Sequence, residues 1–171
     1  MTPQDVVERI GQAAGQAGMG PYKTTLLGNE VLVARTSKFS VLWFATKLHT
    51  FLVASVFPTG TATPDRLDRF LDAAATFAKA NKGGLPVGLQ TGLAILPVAV
   101  TGQPGPEADA WASKPHRRRV GTVPFPVLVD ATSGQVTRPN HMVIAGVYSR
   151  YLKRMVDQHV ATPLRQPGPP M

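Results

Sequence analysis

Residues 22–57 constrain the fold of this chain more than any other stretch. Four runs in it, 22–27, 30–35, 40–46 and 50–57, are rich in β-branched, aromatic and aliphatic residues, and Gly28-Asn29 between the first two suits a tight hairpin turn. The section reads as an antiparallel meander. Its last two runs meet near Lys47-Leu48, either as two strands or as one long bent strand.

Helices bracket the meander. Residues 4–17 set Val6, Val7, Ile10 and Ala13 or Ala14 at helical spacing, and Gly18 and Gly20 end the run. Thr63-Pro64 opens a second helix, with Thr63 as cap and Pro64 in the first helical position. Leu67, Phe70, Leu71, Ala74, Phe77 and Ala78 form its apolar stripe, and Gly83-Gly84 ends it. Residues 93–100 are a continuous apolar strand whose Pro97 argues for an edge or a bulge. A short helix over 106–113, strands over 126–130 and 135–138, and a helix over about 146–160 follow. That last helix buries Val147, Tyr148, Tyr151, Leu152, Met155 and Val156. The expected fold is α+β, with a largely antiparallel sheet packed by about three helices. One domain over 1–162 and a proline-rich disordered tail over 163–171 complete the reading.

A chain of 171 residues with 43% hydrophobic content buries enough surface to fold without a metal or disulfide staple. With no cysteine, disulfides, thiolate zinc sites and cysteine nucleophiles are excluded. The N-terminus has Asp5 and Glu8 and lacks the apolar core of a secretory signal. Lys47 and His49 interrupt the apolar stretch 39–57, so a membrane span is not expected there. The expectation is a soluble, cytoplasmic protein.

Catalytic motifs are not found. His49, His116, His141 and His159 lack the local pairing of zinc ligands, so no metal and no cofactor are expected. Neither a G-x-S-x-G elbow nor an S-x-x-K motif occurs. Gly83, Gly84, Gly88 and Gly92 follow a helix and precede a strand, the reverse of a phosphate-cradling loop. Asp65, Asp68 and Asp72 share a helix face, but Arg66 and Arg69 interleave them, and Asp65–Arg69 reads as an ordinary i,i+4 ion pair. Glu107 and Asp109 read as helix-start acids.

The order helix, meander, helix, strand is similar to the core of the PD-(D/E)xK nucleases over about 100 residues. That resemblance implies metal-binding carboxylates on neighbouring strands, with a lysine two residues after one of them. Lys47 is the one plausible lysine, but Ala45 stands where the carboxylate belongs, and Glu8 and Glu30 are the nearby acids.

Charge is distributed unevenly. Residues 1–113 carry nine Lys/Arg against eight Asp/Glu; residues 114–171 carry nine against Asp130 and Asp157, which supplies most of the net +8. Lys114, Arg117, Arg118 and Arg119 form one basic run. Arg150, Lys153 and Arg154 share a face of the last helix, opposite its apolar stripe. These seven residues are the candidate anion-binding set. The sequence thus predicts a non-enzymatic binding or adaptor domain that meets a nucleic acid or an acidic protein. A second expectation is an enzyme assembled from distant residues, with Lys47, His49, Asp130 and His141 as candidates. The third is a structural module that forms homo-oligomers through the apolar runs 39–57 and 93–100.

Overall fold

A computed structural model describes residues 1–40, 46–83, 91–116, 122–140 and 146–165. Thr2 caps α1 (Pro3–Gln16) reciprocally: its hydroxyl accepts from the Asp5 amide at 3.2 Å, and its own amide donates to the Asp5 carboxylate at 2.8 Å. Val6, Val7, Ile10 and Ala14 are buried along one stripe.

The meander consists of β1 (Tyr22–Leu26), β2 (Asn29–Ser40) and β3 (Thr46–Val56), each antiparallel to the next. Lys47-Leu48 falls inside β3, so the 50–57 run belongs to one strand beginning at Thr46. The hairpin turn lies one residue earlier than expected. Leu26 pairs with Asn29, and the turn residues are Leu27 and Gly28, at φ 51° and 77°. Two positive φ values match the twist of a two-residue hairpin. Leucine there costs about 1–2 kcal/mol relative to a right-handed conformation.

α2 (Pro64–Asn81) carries the chain back to β4 (Thr91–Thr101), which pairs parallel to β3. Thr63 precedes the helix, but its side chain makes no capping hydrogen bond. α3 (Pro106–Ser113) provides a second crossover, to β5 (Val123–Pro124) and β6 (Val127–Asp130), both parallel to β4. β7 (Val136–Thr137) closes the far edge as a hairpin with β6. The seven-stranded sheet runs β1-β2-β3-β4-β6-β7, with β5 also beside β4. The expected largely antiparallel sheet is therefore corrected to a mixed one, because each helical crossover returns the chain in the same direction.

Pro97 lies inside the central strand. β5 pairs with Ala94 and Ile95 and β6 with Val98–Thr101, so Pro97 falls between the two pairings. The Ile95 and Thr101 carbonyls accept from Phe125 and Ala131 on that side. Strand alternation then turns the missing Pro97 donor toward the break between β5 and β6, where no ladder bond is lost.

α4 (Gly146–Val156) continues through a π-helical turn, Asp157–Ala161, into a last α-helical turn, Thr162–Arg165. Helix thus extends through Pro163, the first residue of the expected tail. Leu164 is buried in the core beside α1, and the Pro163 carbonyl accepts from Arg9 at 3.4 Å. Among the described residues, four helices cover the sheet rather than about three. α1 and α4 pack on one face against Leu48, Leu52, Leu96 and Val98. α2 and α3 pack on the other against Val33, Phe51, Val53 and Ile95. Burial on both faces explains the unbroken apolar run of β4. No helix among the described residues is long and apolar enough to cross a membrane.

Candidate anion-binding cleft

Alternation along β2 and β3 builds the site. On the sheet face covered by α2, β2 presents Val31 and Val33, then Arg35 and Ser37. β3 presents Lys47 and His49 before Phe51 and Val53. Side chains alternate with period two, so one face changes from apolar to cationic where the helix ends. Arg35 marks the change: its Nη1 donates to the Asn81 carbonyl at 3.0 Å, satisfying an open acceptor at the α2 C-terminus.

Beyond the helix lies a cleft of about 690 Å³, lined by Arg35, Ser37, Lys47, His49, Lys82 and Thr91 with Phe51 at its floor. His49 lies opposite Ser37 and beside Leu93, and Lys47 lies beside Thr91. Such neighbours are about 5 Å apart, and the diagonal from His49 to Arg35 is about 7–8 Å. Lys47 and Arg35 are exposed; His49 and Lys82 are half-buried. The Lys82 ammonium donates to the Gly83 carbonyl at 3.3 Å. All ten Asp and Glu residues of the chain are among the described residues, and none lines this cleft.

The electrostatics of His49 follow from the same convergence. Burial, then Lys47, Lys82 and Arg35, hold the His49 pKa below its ordinary 6.5. The imidazole is consequently neutral at neutral pH. An oxyanion in the cleft meets two ammonium groups, a guanidinium, and the hydroxyls of Ser37 and Thr91, donor types suited to phosphate and carboxylate.

Of the seven residues expected from sequence, the four described ones do not share one surface. Lys114 is exposed at the end of α3, while Arg150 and Arg154 are exposed on α4, across the sheet. Lys153 is half-buried: its ammonium donates to the Asn140 carbonyl at 3.0 Å, and its own carbonyl accepts from Arg138 at 2.9 Å. Arg138 also pairs with Asp157 at 2.9 Å. Arg117, Arg118, Arg119 and His141 lie outside the described residues.

Of the enzyme candidates, Lys47 and His49 meet in the cleft. Asp130 pairs with Thr101, ten residues along β4 from Thr91 and so about 33 Å away. Burial opposes its ionisation, but hydrogen bonds from Ser133 and Thr132 outweigh that and hold its pKa below 3.8. Asp68 accepts from the Trp111 indole at 3.0 Å, tying α2 to α3. No group of three or more His, Asp or Glu residues able to hold a metal occurs among the described residues. Glu30 pairs with Lys23 at 2.8 Å beside the β1–β2 turn, and Glu8 is exposed on α1. Neither supplies the carboxylates that the nuclease resemblance implies.

Arg35, Ser37, Lys82 and Thr91 were not singled out from sequence, because they sit on three separate segments: β2, the end of α2 and the start of β4. Matching the parity of Val31-Val33-Arg35-Ser37 with Lys47-His49-Phe51-Val53 is the signal that would have found most of the cleft. Comparison with known proteins adds nothing further: no protein-family model, curated protein or solved structure matches the chain.

Proposed function

We propose that this chain is a binding domain for an anionic polymer, nucleic acid foremost, with the cleft as the seat of a backbone phosphate. The observation that carries the reading is a cleft with three cations and a histidine, lined by none of the ten carboxylates. The arginine run supports it. Lys114, Arg117, Arg118 and Arg119 fall within six residues of sequence and would add phosphate contacts to those of the cleft.

Neutralising five or six phosphates gives a slope of about −5 in log K against log salt. Fluorescence anisotropy with labelled DNA, RNA, heparin and polyglutamate across a salt series tests this. Salt-independent or undetectable binding to all four overturns it. Preference for polyglutamate over DNA and RNA replaces the nucleic acid with an acidic protein. A second reading, an enzyme, draws on Lys47 and His49 meeting in one cleft. It lacks a lining carboxylate to orient the imidazole, so binding is the favoured reading.

A further inference from the structure

A second pocket lies under the β1–β2 hairpin, independent of the cationic cleft. Ser55 lines it, six residues along β3 from His49 and so about 20 Å away. Its volume is about 310 Å³, at the low end for small-ligand sites. Phe57 and Phe70 form its apolar wall, in edge-to-face contact with centroids 5.5 Å apart. Leu26 and Leu27 cover it from the hairpin, and Arg66 and Arg69 from α2 line the remaining side.

Two features of this pocket are unspent in the free protein. Arg66 and Arg69 are exposed and form no ion pair or hydrogen bond among the described residues. Neither guanidinium lies within ion-pair distance of a carboxylate among the described residues, and Asp68 accepts from the Trp111 indole. Leu27, in turn, occupies a left-handed position where asparagine or glycine is favoured, yet stays 61% exposed at the rim. Backbone outliers cluster at ligand clamps, and this one presents an apolar side chain beside a pocket.

We propose that this pocket binds an amphiphilic carboxylate, a small organic acid with an aliphatic or aryl body. The body lies against Phe57 and Phe70 under Leu27. The carboxylate meets the Arg66 and Arg69 guanidiniums, whose planar forks match it with paired hydrogen bonds. Asn29 and Ser55 complete the polar edge.

Two-dimensional amide NMR on the full chain tests the proposal, with linear carboxylates from butanoate to decanoate, phenylbutanoate and phenylbutanol as probes. Saturable shifts are expected at Leu27, Asn29, Ser55, Phe57 and Phe70. Affinity should rise about three- to fourfold per methylene until the pocket is full. Loss of the charge in phenylbutanol, or the double variant Arg66→Gln/Arg69→Gln, should weaken binding about tenfold or more. Both arginines are exposed, so the double variant keeps its melting temperature. Leu27→Asn suits the turn and should raise that temperature while weakening the probes. No saturable shift with any carboxylate, equal binding of phenylbutanol, unchanged affinity in the arginine variant, or shifts centred on Lys47 and His49 each overturns it.

Discussion

The same substitution at two buried threonines should have opposite effects on stability. Thr101 is fully buried at the end of β4, and its hydroxyl has no hydrogen-bond partner among the described residues. An unsatisfied buried hydroxyl costs about 1–3 kcal/mol. Valine has the same branched shape and the same strand preference, so Thr101→Val removes that cost without a cavity. Stabilisation by about 1–2 kcal/mol follows, or about 2–6 °C in Tm for a chain of this size. Thr50 is equally buried, but its hydroxyl lies 3.3 Å from the Tyr151 hydroxyl, bonding β3 to α4. Thr50→Val should therefore destabilise by about 0.5–1.5 kcal/mol. Urea unfolding measures both, with an unchanged slope showing that the denatured state is unaffected. Destabilisation in Thr101→Val beyond about 0.5 kcal/mol would mean that its hydroxyl is bonded, and the reasoning fails.

Two other perturbations follow from the structure. Burial lowers the His159 pKa, and burial with three cations lowers that of His49. The unfolded chain then binds more protons just below the ordinary value of 6.5, so stability is full above it and declines as pH falls through the folded values. Thermal melts from neutral pH to about pH 5 should show that loss, and His49→Gln with His159→Gln should flatten it; a flat wild-type profile contradicts it. Leu164→Ala should cost about 2–4 kcal/mol, since Leu164 is 8% exposed in the core shared with α1. A loss under about 0.5 kcal/mol in a urea melt would return that residue to a tail.

Helices were legible in the sequence wherever cap, stripe and terminator agreed. Pro64 at the first turn, the Leu67–Phe70–Leu71–Ala74 stripe and Gly83 at φ 66° all point to α2. Turn chemistry misled by one residue: Gly28-Asn29 resembles the turn pair, but Gly28 takes the second turn position and Asn29 begins β2. Pro97 marks an edge by local rules; its place in the central strand depends on a gap in a neighbour about 30 residues away. Pro163 reads as a stop, yet a π-helical turn precedes it and Leu164 anchors the last turn in the core. Sheet direction followed from crossover order, which strand-by-strand reading does not weigh. The basic runs were legible as charge. The placement of Lys114 on one side of the sheet and of Arg150 and Arg154 on the other was not, because it depends on which face each helix covers.

The central claim is that the anion seat is the cleft between β2, β3 and the end of α2, rather than the face of α4. Lys47→Gln/Lys82→Gln removes two cleft cations, and Arg150→Gln/Arg154→Gln removes the two exposed arginines of α4. Anisotropy with labelled DNA or RNA across a salt series compares these variants with the parent chain. The cleft variant should lose about two units of salt slope and most of its affinity at low salt, while the helix variant loses less than one unit. An unchanged cleft variant beside a crippled helix variant would contradict the account and return the anion seat to the last helix.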